Sequence, residues 1–87
     1  MNSNSPNPIT ELVLRGENYQ GDAVLFDISG ERITIGAGDP KAELSMSADS
    51  LQRMIAKEVA SSELFMAGEL TIEGDFNAAI AVGAVLE

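Results

Sequence analysis

The stretch "GELTIEGD", Gly68–Asp75, runs straight into "FNAAIAVGAVL", Phe76–Leu86, which carries no charge at all. In the first, Leu70 and Ile72 fall on one side of an extended chain and Glu69, Thr71 and Glu73 on the other. That is the two-residue period of a half-buried strand. Gly74 turns the chain, and Asp75 is placed to cap a helix over 76–86. Phe76, Ala79, Ile80 and Gly83 share one face of this helix; Ala78, Val82, Val85 and Leu86 fill most of the rest, and only Asn77 is polar. A helix apolar on nearly every side must be buried on every side or meet a partner. Each large side chain left in water forfeits about 1.5–3 kcal/mol of burial, against a whole-domain stability of about 5–15 kcal/mol. One sheet covers one side of a helix. The far side therefore calls for an apolar ligand, a second subunit or a neighbouring domain, unless the preceding short helix shields it.

Upstream, "SADSLQRMIAKEV", Ser47–Val59, has helical spacing: Leu51, Met54, Ile55 and Val59 recur on one face. Ser47 or Asp49 is its expected cap, and Lys57 lies late, where a helix end favours a cation. "SSELFMAG" reads as a shorter helix, capped by Ser61 or Ser62 and stopped at Gly68 in the left-handed conformation. Further back, "DAVLFDI", "ERITIG" and "AELSMS" read as strands, with turns at Ser29-Gly30 and at "GAGDP", Gly36–Pro40. Their short connections predict an antiparallel meander. Residues 9–21 fit a short strand or a helical turn equally. Residues 1–10 are expected to be a disordered polar tail, and 11–87 a single small domain. The class expected is α+β: an antiparallel sheet of four to five strands covered by two or three helices.

Composition narrows the chemistry. The chain has no cysteine and no histidine, which removes disulfides, thiolate chemistry and the commonest general base and metal ligand. Fourteen acidic residues against five basic ones give a net charge of −9. Phosphate backbones and anionic membranes repel such a surface, so nucleic acid is not an expected partner. No segment reaches the roughly 20 apolar residues of a membrane span, and "MNSNSPNP" lacks the apolar core of a secretory signal; the cytoplasm is the expected compartment. The carboxylates Asp49, Glu58, Glu63, Glu69, Glu73 and Asp75 show no catalytic pairing and read as caps and solvated faces. "GAGDP" lacks the lysine of a phosphate-binding loop. No catalytic residue, metal or cofactor is expected, and the chain is not expected to be an enzyme.

The order strand, strand, strand, helix, short helix, strand, helix resembles the sterol carrier protein type two domain. "AELSMSADSLQRMI" is similar to that family's strand–cap–helix segment. "LFMAGELTIEGDFNAAI" is similar to its run of aromatic, glycine, alternating strand, glycine and apolar helix, carried here by Phe65, Gly68, Leu70, Ile72 and Gly74. The resemblance implies a curved sheet and helices enclosing an apolar tunnel for sterols, fatty acids, acyl thioesters or other lipids. In multidomain lipid enzymes a similar module presents lipid to a catalytic domain. The front of this chain is shorter than the family's, which implies a partly open tunnel and a dimer. Glu69 and Glu73 stand where the family's strand often has lysines, which argues against acyl-CoA phosphates.

The function expected is a non-catalytic module holding or presenting a fatty acid, sterol or similar lipid between the sheet and the last helix. The expected ligand-contacting residues are Leu51, Met54, Ile55, Phe65, Met66, Phe76, Ala79, Ile80 and Gly83. The alternative is a homodimerisation or protein-interaction domain that uses the same helix with no ligand. Expected partners are an apolar ligand and either a second copy or a lipid enzyme.

Overall fold

The computed structural model describes residues 7–86. Its elements are α1 (Pro8–Gly16), β1 (Asp22–Ile28), β2 (Glu31–Ile35), β3 (Ala37–Met46), α2 (Ala48–Ile55), α3 (Ser61–Met66), β4 (Leu70–Gly74) and α4 (Phe76–Leu86). The class is α+β, with four strands and four helices among the described residues. Of the tail expected at 1–10, residues 1–6 lie outside the described residues. Pro8, Ile9 and Thr10 instead open α1, where Asn7 Oδ1 accepts from the Ile9 N–H and proline occupies the first turn. The ambiguous segment after them is therefore helical, with Leu12 buried on its inner side.

The sheet order is β2-β1-β3-β4. β1 pairs antiparallel with β2, and β3 antiparallel with β4, but β1 and β3 run parallel. This corrects the meander: β3 does not fold back on β2 but passes around the start of β1 to its other edge. The crossing is made at Gly36, at φ +101°, where a Cβ would lie 2.8 Å from the Cα of Ala23. Only glycine allows so short a crossover. "GAGDP" is likewise not a simple turn: Ala37–Pro40 belong to β3, with a slip in register against Asp22 and Val24. Tyr19 seals this end, its hydroxyl donating to the Asp22 carbonyl at 2.6 Å.

The register lines up the apolar positions on one face. Ile33, Phe26, Leu44 and Ile72 form one row across the sheet, and Ile28, Met46 and Leu70 the next. The opposite face is polar: Arg32 lies 3.8 Å from Asp27 and 3.6 Å from Glu43. With one wet face, the helices share a single core with the other. Arg15 ties them together. Its Nε meets Glu11 at 3.1 Å, its Nη1 donates to the Leu86 carbonyl at 2.7 Å, and its Nη2 to the Ile55 carbonyl at 3.4 Å. One guanidinium thus satisfies carbonyls at the C-terminal ends of α4 and α2.

The caps follow local rules with two corrections. Ser47 caps α2, accepting from the Ser50 N–H. Asp75 caps α4, accepting from Asn77 and Ala78. Gly68, at φ +79°, ends α3 through Gly68 N–H to Phe65 and Glu69 N–H to Leu64 bonds. The N-cap of α3, however, is Ala60 rather than Ser61 or Ser62; the Glu63 carboxylate reaches back to its N–H at 2.9 Å. And α2 stops at Ile55, short of Val59. Lys57, at φ +65°, closes it by the same two-bond pattern that Gly68 makes. Because lysine pays a left-handed steric cost that glycine avoids, Lys57→Gly is expected to raise stability by about 0.5–1 kcal/mol. A higher urea midpoint would register it.

Tyr19 offers a pH test. It is the only tyrosine, and burial, aided by the charge of Asp22, raises its pKa above the ordinary value. The folded state then holds this proton more tightly than the unfolded state does. The stability it contributes is intact below the unfolded pKa of about 10 and is lost as pH rises through the folded one. Phenolate absorbance is expected to develop at higher pH in the native protein than in urea, and Tyr19→Phe is expected to flatten the alkaline loss of stability.

Candidate functional site

α4 lies on the sheet and against α1. Ala78, Val82 and Leu86, one row at four-residue spacing, are buried, while Phe76 and Ile80 stay 49% and 55% exposed. Beside that second row lies an apolar cavity of about 450 Å³, within the roughly 300–1,000 Å³ range of small-molecule sites. Its floor is the apolar sheet face: Phe26, Leu44, Met46, Leu70 and Ile72. Its wall is α4, where Ala79, Gly83 and Ala84 leave volume that larger side chains would occupy. Met54 closes it from α2, and Ser61, Ser62 and Phe65 from α3. The rings of Phe65 and Phe76 meet edge to face, centroids 6.0 Å apart, linking α3 to the start of α4.

Of the residues expected from sequence to touch a ligand, Met54, Phe65, Phe76, Ala79, Ile80 and Gly83 line this cavity together. Leu51, Ile55 and Met66 do not. Leu51 is fully buried and Ile55 packs against the core. Met66, 85% exposed, points away at the end of α3. Sequence reasoning missed the floor. Leu44 and Met46 fall in the expected strand "AELSMS" and Leu70 and Ile72 in "ELTIE", but their alignment under α4 depends on the parallel β1–β3 pairing.

No described residue among those lining the cavity is titratable. Among the described residues, no group of His, Cys, Asp or Glu could hold a metal, and no helix is long and apolar enough to cross a membrane.

The model of the SCP-2 sterol transfer family matches residues 8–87. The chain belongs to that family. Solved structures share the SCP-2 fold at low identity. Sterol carrier protein 2 from Yarrowia lipolytica, in its apo form, is 20% identical over 95% of this chain and 79% of its own, with a TM-score of 0.60. Sterol carrier protein 2 like 2 from Aedes aegypti is 10% identical over 90% and 92%, with a TM-score of 0.62. A double mutant of the sec-alkyl sulfatase PisA1 is 10% identical, covering 95% of this SCP-2 chain but 16% of the sulfatase, with a TM-score of 0.65. No curated protein matches in sequence.

Proposed function

We propose that this SCP-2 family member is a non-catalytic lipid-binding module that holds an apolar ligand between the sheet and α4. One observation carries the reading. The cavity joins five sheet side chains to the small-residue face of a charge-free helix, and among the described residues its only polar lining side chains are Ser61 and Ser62. Such a space is poorly served by water and gains from an apolar occupant. The ligand would also cover the exposed parts of Phe76 and Ile80. Membership of a sterol transfer family supports the same reading. The occurrence of the fold as a small part of a sulfatase chain supports a role in presenting ligand to an enzyme.

The test is a titration with a pyrene-labelled long-chain alcohol. Saturable binding of one probe per chain is expected, and no saturable binding overturns the proposal. A second reading rests on the exposure of three large apolar side chains, Met66 strongly and Phe65 and Phe76 by about half. A second copy or a lipid enzyme would cover these exposed apolar side chains. A molar mass of one chain at all concentrations, alone and with ligand, would remove the second copy.

A further inference from the structure

If the cavity takes lipid, the placement of charge around it restricts which lipid. All five cations of the chain are engaged or positioned elsewhere. Arg15 is held by Glu11 and the carbonyls of Leu86 and Ile55. Arg32 lies on the opposite face of the sheet with Asp27 and Glu43. Arg53 pairs with Glu69 at 3.6 Å. Lys41 lines a separate shallow groove with Glu43 and Glu73. Lys57 lines a cleft behind Met54, in company with Glu58 and Glu63. The acids on the elements that wall the cavity do not line it either: Glu73 lies on the wet face of the sheet with Lys41 and Glu43, Glu63 turns back to the Ala60 N–H, and Asp75 caps α4, so they act only through the net negative field. The helix face itself carries no charge over Phe76–Leu86.

From this we infer that the cavity selects uncharged lipids and rejects anionic ones, fatty acids at neutral pH included. The inference rests on the lipid-binding reading above. A carboxylate drawn into the cavity meets no counter-ion among the described residues, and burial without one favours its neutral form. A carboxylate left at the mouth sits in the field of a chain whose net charge is −9. A hydroxyl or carbonyl head meets neither penalty, and the Ser61 and Ser62 side chains are of the type that bonds one.

The experiment is competition for the pyrene-labelled alcohol by hexadecanol and by palmitate, which share a chain length and differ in head group. Near pH 8, hexadecanol is expected to compete at least about 10-fold better. Between about pH 8 and pH 5 palmitate is expected to gain, towards about 10-fold per unit if its head enters fully protonated, while hexadecanol changes little. Ile80→Lys, which places an ammonium on the half-exposed wall of the cavity, is expected to shift the preference towards palmitate. Palmitate that competes as well as hexadecanol near pH 8 overturns the inference. If Lys57→Ala then removes palmitate binding, that lysine serves as the missing counter-ion, which also overturns it. Failure of the labelled alcohol to bind at all sinks the lipid reading, whereas binding without head-group discrimination sinks the charge filter alone.

Discussion

Gly74→Ala is expected to lower stability by about 3–6 kcal/mol, enough to leave much of a small domain unfolded at ambient temperature. Gly74 has φ +90°, and a Cβ there would fall 2.6 Å from the Lys41 carbonyl oxygen and 3.0 Å from the Ala42 Cα. The left-handed conformation alone costs about 1–2 kcal/mol with a side chain. The contact is with backbone, so relief means moving β3 away from β4 at the Ala42–Gly74 pair. That movement strains the Asp75 N–H to Lys41 carbonyl bond, 2.8 Å long, at the entry to α4; its loss adds about 1 kcal/mol, and the crowding about 1–3 kcal/mol more. Gly68→Ala is the control. Gly68 has φ +79° but open space where its Cβ would go, so only the conformational cost of about 1–2 kcal/mol is expected. Urea unfolding of the two variants separates steric from torsional strain. Equal losses would show that the β3–β4 approach does not hold α4 in place.

The second large effect concerns the cavity. Ala84→Trp is expected to weaken binding of the labelled alcohol about 100-fold or more while leaving stability within about 1 kcal/mol of the parent. Ala84 lines the cavity from an exposed position on α4, so the indole has a route inward without disturbing the buried row of Ala78, Val82 and Leu86. Each ligand methylene denied burial is worth about 0.8 kcal/mol. Excluding four of them is about 3 kcal/mol, or about 100-fold in affinity. Ala81, also exposed on α4, is not part of the cavity lining. Ala81→Trp is expected to bind normally, and a like loss in both variants would mean that the cavity is not where the probe sits.

The parts of the molecule written in local patterns were legible in the sequence. β1 was bounded by its two-residue period, α4 by the charge-free run after Asp75, and Gly68 by the need for a left-handed stop. The family resemblance carried by Phe65, Gly68, Leu70, Ile72 and Gly74 named the family that the chain belongs to. What escaped is non-local or energetically subtle. The crossover at Gly36 depends on how closely two strands pass, which periodicity does not encode. Lys57 in a glycine-like position gives no compositional sign of a helix end, so α2 was drawn too long. The six expected ligand-contacting residues that line the cavity all come from helix faces, where spacing specifies direction. The floor depends on which strands become neighbours, and nothing local in the sequence marks Arg15 as the residue that joins α1 to the ends of α2 and α4.

The proposed lipid-binding function requires an apolar molecule to enter the space between α4 and the sheet. Methyl NMR during titration with hexadecanol tests this most directly. Saturable shifts are predicted at Leu44, Met46, Met54, Ile72 and Ile80, which face the cavity, and none at Val13, Leu14 or Leu25, which do not. Shifts centred on the exposed Val13 and Leu14 of α1, or an unaltered spectrum at saturating ligand, would contradict it.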